Sequence, residues 1–276
     1  MSNLVWLDDR LLDDTEAVLP YDDHGITVGD GVFEAVKLED GVPFALTRHL
    51  DRLRRSAGAL RLPCPDDLLL REAVDAVVSN AVADGVIRIT LTAGRGPLGS
   101  PREQSEPRLI VATRPGAVRT DPTSVHLVEW TRNEHGALAG VKSTSYAENV
   151  LALDVALAAG ASEALFANTA GNLCEGTGAN VFVGFGDDLL TPPLSSGCLA
   201  GVTRALLLEA GVGREADIVA AGLAEATEMF LVSTTREVQP VSDVSGAALP
   251  LCPGPLTVAA QAAWREAHGP GTPRDP

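Results

Sequence analysis

Two lysines stand in this 276-residue chain, Lys37 and Lys142, against nineteen arginines. A lysine ammonium can lose its proton and act as nucleophile, Schiff-base former or general base, whereas a guanidinium stays charged at any working pH. A compositional bias towards Ala, Gly, Arg and Pro explains the depletion, and a position whose chemistry demands an amine would survive that bias. Lys37 ends the apolar run 32–38, just before the turn-like Glu39-Asp40-Gly41, which predicts a solvated strand end. Lys142 falls in Gly140-Val-Lys-Ser-Thr-Ser-Tyr-Ala-Glu-Asn149, between a predicted strand over 125–130 and a predicted helix over 146–159. At such a junction an amine can project into a cleft, where partial burial favours its neutral, reactive form.

Other segments offer groups suited to an anion or a ring nitrogen. Leu199-Ala-Gly-Val-Thr-Arg204 runs from a glycine-containing loop into an apolar helix. The free N–H groups near Val202 and Thr203, with the threonine hydroxyl, suit a phosphate, although an ordinary capped helix start reads the same way. Ser233-Thr234-Thr235-Arg236 follows an apolar strand and offers three hydroxyls, as any polar strand exit does. Arg52, on the helix of Leu50 and Leu53, either adds a bidentate guanidinium or lies solvated. Glu175 precedes Gly176-Thr177-Gly178 and an apolar strand. It is either a turn acid in water or a carboxylate facing a cleft, able to pair with a protonated ring nitrogen. An amine, an acid and a phosphate cup together meet the needs of pyridoxal 5′-phosphate.

The elements that must position these groups follow from periodicity. Strands are expected over 4–7, 32–38 and 42–46. Leu46, Leu50, Leu53, Ala57 and Leu60 then recur at three- and four-residue steps, giving a helix with Thr47 as its N-cap. A second helix is predicted over 66–83, and strands over 86–92 and 109–113 flank a Gly/Pro-rich loop, 94–107. Short strands fill 163–185, a helix 202–210, a strand 229–234 and a last helix 255–268. Pro115, Gly116 and Pro122 mark a linker. The reading is a mixed α/β fold in two domains: 1–113, a smaller N-terminal α/β domain; 114–122, the linker; 123–268, a larger cofactor-binding domain; and 269–276, a Gly/Pro-rich tail expected to fray.

A formal charge of −16 argues against nucleic acid or an anionic membrane as main partner. Cys64, Cys174, Cys198 and Cys252 have no metal-ligand spacing, so no metal is expected. The thiols fit a reducing cytoplasmic setting, and no apolar run approaches membrane-spanning length.

Motifs in order along nearly the whole chain then carry a resemblance. They are Asp23-His-Gly-Ile-Thr-Val-Gly-Asp-Gly-Val-Phe-Glu34, His49-Leu-Asp-Arg-Leu53, Lys142-Ser143, Glu175-Gly-Thr-Gly-Ala-Asn180, Thr191-Pro-Pro-Leu-Ser-Ser-Gly197, Gly201-Val-Thr-Arg204 and Ser233-Thr-Thr-Arg-Glu-Val-Gln-Pro240. The chain resembles the class IV aminotransferases, the fold-type IV pyridoxal-phosphate enzymes, which include branched-chain and D-amino-acid transaminases and 4-amino-4-deoxychorismate lyases. The resemblance implies Lys142 as the Schiff-base lysine, Glu175 at the pyridine nitrogen, and Arg52, Val202, Thr203, Ser233 and Thr234 at the phosphate. It also implies Leu199 on the ring face and Tyr146 at the phenolic oxygen, the tyrosine standing one residue nearer the lysine than in branched-chain enzymes. On the substrate side it implies Phe33, Thr235 and Arg102. Phe33 stands where D-amino-acid transaminases carry a tyrosine, and Gln104 where their carboxylate-binding loop carries a histidine. The run from Lys142 to Asn149, with Leu173-Cys-Glu175 and Ser196-Gly-Cys-Leu-Ala-Gly201, is most similar to bacterial sequences assigned to the lyase. A small-molecule amino substrate and a homodimer are implied as well.

Overall fold

The apolar stretches become strands and helices in the computed structural model, which describes residues 4–81, 83–102, 106–269 and 271–276. The chain divides into two units. Unit 1 comprises Met1–Ala117, Val141–Tyr146 and Arg274–Pro276, and unit 2 comprises Val118–Gly140 and Ala147–Pro273. Lys142 therefore groups with the N-terminal residues and not with the rest of 123–268.

Unit 1 is built on strands β1 (Leu4–Leu7), β2 (Arg10–Asp13), β3 (Gly31–Glu39), β4 (Val42–Pro43), β5 (Gly85–Thr92) and β6 (Arg108–Pro115), with helices α1 (His24–Thr27), α2 (Leu46–Ala59) and α3 (Asp67–Val78). The sheet order is β2-β1-β6-β5-β3-β4, and every neighbouring pair is antiparallel. Alternation on β3 sends Val32, Val36 and Leu38 into one core with Leu50, Leu53 and Ala57 of α2 and Leu70, Ala73, Val74 and Val77 of α3. Each large aliphatic side chain so buried contributes about 1.5–3 kcal/mol. The second helix stops at Val78, five residues before the predicted end at 83.

Three expectations are corrected here. Lys37 is buried, not solvated: Phe44 N–H donates to Lys37 O at 2.8 Å, folding the chain back so that the Lys37 amine lies 5.0 Å over the Phe44 ring and 3.2 Å from Glu39 Oε2. Thr47 is not the cap of α2. That position belongs to Ala45, left-handed at φ 52° and without a side-chain acceptor, and the Thr47 N–H (2.8 Å) and hydroxyl (2.5 Å) instead donate to the Asp275 carboxylate. The end of the tail is accordingly tied down rather than frayed. Ala45 N–H donates to Arg274 O at 2.7 Å, and Arg48 Nε to Pro276 O at 2.7 Å.

Unit 2 carries β7 (Thr123–Arg132), β8 (Glu163–Asn168), β9 (Leu173–Gly176), β10 (Asn180–Phe185), β11 (Asp188–Thr191), β12 (Arg214–Glu215), β13 (Glu228–Ser233), β14 (Glu237–Val244) and β15 (Ala247–Ala248), with α4 (Ala147–Ala158), α5 (Val202–Glu209) and α6 (Pro255–His268). Its sheet runs β12-β11-β10-β13-β14-β7-β8-β9, with β15 on β14. The β7–β8, β7–β14 and β11–β12 pairs are parallel and the others antiparallel. The parallel β7–β8 pair needs a crossover, which α4 provides. Phe182 and Phe230 stack in this unit at 5.0 Å between centroids. No helix among the described residues is long and apolar enough to cross a membrane.

Candidate active site

Lys142 is fixed through its backbone. The Val141–Tyr146 segment lies along β3: Phe33 N–H donates to Lys142 O (2.9 Å), Thr144 N–H donates to Gly31 O (2.8 Å), and Val32 bridges Ser143. Lys142 N–H donates to Ser56 Oγ of α2 at 3.3 Å, and the Thr144 and Ser145 hydroxyls donate to Gly29 O. Both peptide groups of Lys142 are therefore engaged. Its Nζ stands 4.3 Å from the centroid of the buried Phe33 ring. The Tyr146 ring meets Phe33 edge-on at 5.4 Å, and the Arg88 guanidinium of β5 lies 3.8 Å from the same centroid. Unit 1 thus gathers an amine, a phenol and a guanidinium around one aromatic ring. Burial lowers the pKa of Arg88, but a guanidinium so shifted is still charged.

On the opposite face of β3, Glu34 is fully buried. Arg52 Nε and Nη2 donate to its two oxygens at 2.8 and 2.7 Å, and His49 Nδ1 donates to Oε2 at 2.7 Å. Burial opposes charge on Glu34, but Arg52 and His49 outweigh it and hold the carboxyl at about 2. Burial lowers the His49 pKa, so the ring is neutral at pH 7. Arg52 is therefore neither solvated nor loosely placed; two of its nitrogens are oriented by Glu34. Arg102, expected at a substrate carboxylate, directs Nε at 2.6 Å to Asp30 and Nη1 at 2.6 Å to Leu60 O. Gln104 of the same loop lies outside the described residues.

Unit 2 brings the remaining groups together. Glu175, near the end of β9, accepts the Leu199 N–H at 2.9 Å. Leu199 O in turn accepts Asn180 Nδ2 at 2.9 Å. Asn180 also explains Gly201: a Cβ there would lie 1.9 Å from Asn180 Oδ1. From Gly201 the chain enters α5 with no side-chain cap, leaving the N–H groups of its first turn for an outside acceptor. Thr203 is buried in that turn. Asn180 pairs with Val232 of β13, which sets the next residue, Ser233, beside the same corner. The Ser233 Oγ is buried with no hydrogen-bond partner among the described residues. Thr234 and Thr235 follow in the turn, where Thr235 O accepts Arg119 N–H at 2.9 Å. Burial, reinforced by the negative charge of Glu175, pushes the thiols of Cys174 and Cys198 up, the latter to about 11. Both are neutral thiols at pH 7.

Sequence reasoning quoted Glu34, His49 and Asn180 within motifs but gave them no role, and gave none to Arg88 or Glu163. For Glu34 the available signal was an acid inside an apolar strand followed by His49 and Arg52, three residues apart on one helical face.

A family model described as Amino-transferase class IV matches residues 31–244. A Methanocaldococcus jannaschii protein named "Putative branched-chain-amino-acid aminotransferase" is 33% identical over 255 residues, 88% of each chain. The bifunctional aminodeoxychorismate lyase / D-amino acid transaminase of Mycobacterium tuberculosis is 29% identical, over 91% of this chain and 94% of that one. In fold, the Escherichia coli branched-chain amino acid aminotransferase superposes with a TM-score of 0.91 at 24% identity, covering 99% of this chain and 97% of that one. The chain belongs to the class IV aminotransferases, enzymes of the pyridoxal-phosphate fold type IV.

Proposed function

We propose that this protein is an aminotransferase that moves the amino group of an α-amino acid through pyridoxal 5′-phosphate, with Lys142 as its catalytic base. One observation carries the assignment. Both peptide groups of Lys142 are hydrogen-bonded, and its amine is held 4.3 Å from the Phe33 centroid, the ring that Tyr146 and Arg88 also meet. The cofactor also fits the residues present. The buried Ser233 hydroxyl, without a hydrogen-bond partner among the described residues, and the start of α5, without a side-chain cap, are donors of the kind a phosphate requires.

When bound, the cofactor supplies an aldehyde that joins amines covalently and a ring that draws electron density from the substrate. Lys142 would provide the amine that holds the cofactor, and its Nζ would be the base that takes the substrate's Cα proton and returns it. Glu175, oriented by the Leu199 N–H, would keep the ring nitrogen protonated. Val202, Thr203, Ser233 and Thr234 would hold the phosphate, with Arg52 adding charge, while Leu199 would pack against the ring and Tyr146 would donate a hydrogen bond to it. Phe33 and Thr235 line the substrate side, and Arg102 reaches a carboxylate only on release from Asp30. A homodimer in a reducing cytoplasm belongs to the same proposal.

A second reading, elimination of pyruvate from 4-amino-4-deoxychorismate to give 4-aminobenzoate, is favoured by the Mycobacterium tuberculosis relative whose name joins both activities. Incubation with aminodeoxychorismate and no keto acid separates them. Sustained release of pyruvate and 4-aminobenzoate establishes the lyase. Turnover only when an amino donor and a keto acid are both present establishes the aminotransferase.

A further inference from the structure

Glu163 opens β8, is buried, and has no part in the roles assigned above. Its two carboxylate oxygens serve two different turns. Oε1 accepts the Thr177 N–H at 2.9 Å and the Thr177 hydroxyl, in the Gly176-Thr177-Gly178 turn that follows Glu175. Oε2 accepts Arg236 Nη2 at 3.1 Å, in the turn that follows Ser233 and Thr234. Each turn is anchored again on its far side. Thr177 O accepts Asn149 Nδ2 of α4 at 2.7 Å, and Arg236 Nη1 donates to Gln239 Oε1. Burial weakens the hold of Arg236 on its proton, and the Glu163 charge opposes that effect. The first turn also packs on the acid itself: Gly176 N–H closes on Ala179 O at 2.7 Å, and a Cβ on Gly176 would lie 3.2 Å from Glu163 Cγ.

We propose that Glu163 is a positioning residue whose single carboxylate locks the turn after Glu175 to the turn after Ser233 and Thr234, so that the ring-nitrogen partner and the phosphate donors are set as one unit. A buried acid that only stabilised β8 would need neither turn. One oxygen on each, with the arginine and the threonine both buried, makes displacement of either turn felt by the other. The consequence for the cofactor rests on the function proposed above; the coupling of the two turns does not.

Hydrogen–deuterium exchange on the full-length protein without cofactor reads the coupling directly. Glu163→Gln should raise exchange of amides in both 176–179 and 234–237 by about tenfold or more, because Gln offers one acceptor oxygen and no charge to the two turns, so one loses its hydrogen bond and the other its charge assistance. Glu163→Asp, which keeps the charge, should fall between it and the wild type. Should the Gln variant not fold, Thr177→Val decides: it must raise exchange at 234–237, a turn it does not touch. A rise confined to the altered turn overturns the proposal. Titration of the same proteins with pyridoxal 5′-phosphate should show Glu163→Gln binding about tenfold more weakly while its far-UV circular dichroism is unchanged. Equal cofactor affinity in wild type and variant overturns the positioning role. A wild type that binds no cofactor overturns the functional reading instead, and the exchange result then decides the coupling alone.

Discussion

Glu34→Gln isolates the charge that holds Arg52 in place. Glu34 has no exposed surface, and it accepts two hydrogen bonds from Arg52 and one from His49. Burial alone would raise its pKa, yet the net result is a fall from 4.5 to about 2, caused by the Arg52 charge and the hydrogen bonds. At roughly 1.4 kcal/mol per tenfold, that fall corresponds to about 3 kcal/mol of stability at neutral pH. Leaving Arg52 buried without its counter-ion is independently expected to cost about 3–5 kcal/mol, and the two figures agree. The sign follows from linkage. A carboxyl with a depressed folded-state pKa contributes fully above its unfolded value near pH 4.5 and loses that contribution as pH falls towards 2. Urea-dependent hydrogen exchange of the β3 amides, compared between wild type and variant, should show a gap of about 3 kcal/mol at pH 7 that shrinks to about half at pH 3. A gap below about 1 kcal/mol at pH 7, or one that widens in acid, would refute the argument.

Two further substitutions probe unit 2. Ser233→Ala removes a buried hydroxyl that has no partner among the described residues, an arrangement that costs about 1–3 kcal/mol. The cofactor-free variant should be as stable as wild type or more so in thermal unfolding, while its affinity for pyridoxal 5′-phosphate drops about tenfold; a destabilised apoprotein contradicts the reading. Gly201→Ala places a methyl 1.9 Å from Asn180 Oδ1 and should cost about 1–3 kcal/mol through forced displacement of Asn180. Unchanged urea unfolding would show that the corner yields freely.

The elements that carry the candidate groups were legible because they are local. The helix starting at Val202, the exit at Ser233 and the Lys142 junction each announce themselves within ten residues, through glycine, hydroxyls and a change of apolar period. What stayed hidden depends on residues far apart in the chain. Nothing near Lys142 states that its peptide groups pair with Phe33 and Ser56, contacts that draw 141–146 into unit 1. Lys37 was misread because an amine at the end of an apolar run is ordinarily solvated; the covering ring of Phe44 comes from the return of the chain through β4. Thr47 has the right chemistry for a cap, but the acceptor at that helix start is Asp275, 228 residues away. Arg102 carries the charge expected of a carboxylate binder, and Asp30, 72 residues distant in sequence, has already engaged it. Glu163, Arg236 and Thr177 lie apart in sequence, so their shared carboxylate is visible only once β8, β9 and β14 are assembled.

The most direct test of the central claim uses the scarcity of lysine. Reduction of the pyridoxal-phosphate-loaded protein with borohydride, followed by proteolysis and mass spectrometry, should place the cofactor's mass increment on the peptide containing Lys142 and leave Lys37 unmodified. An increment on Lys37, or none on either peptide, would contradict it.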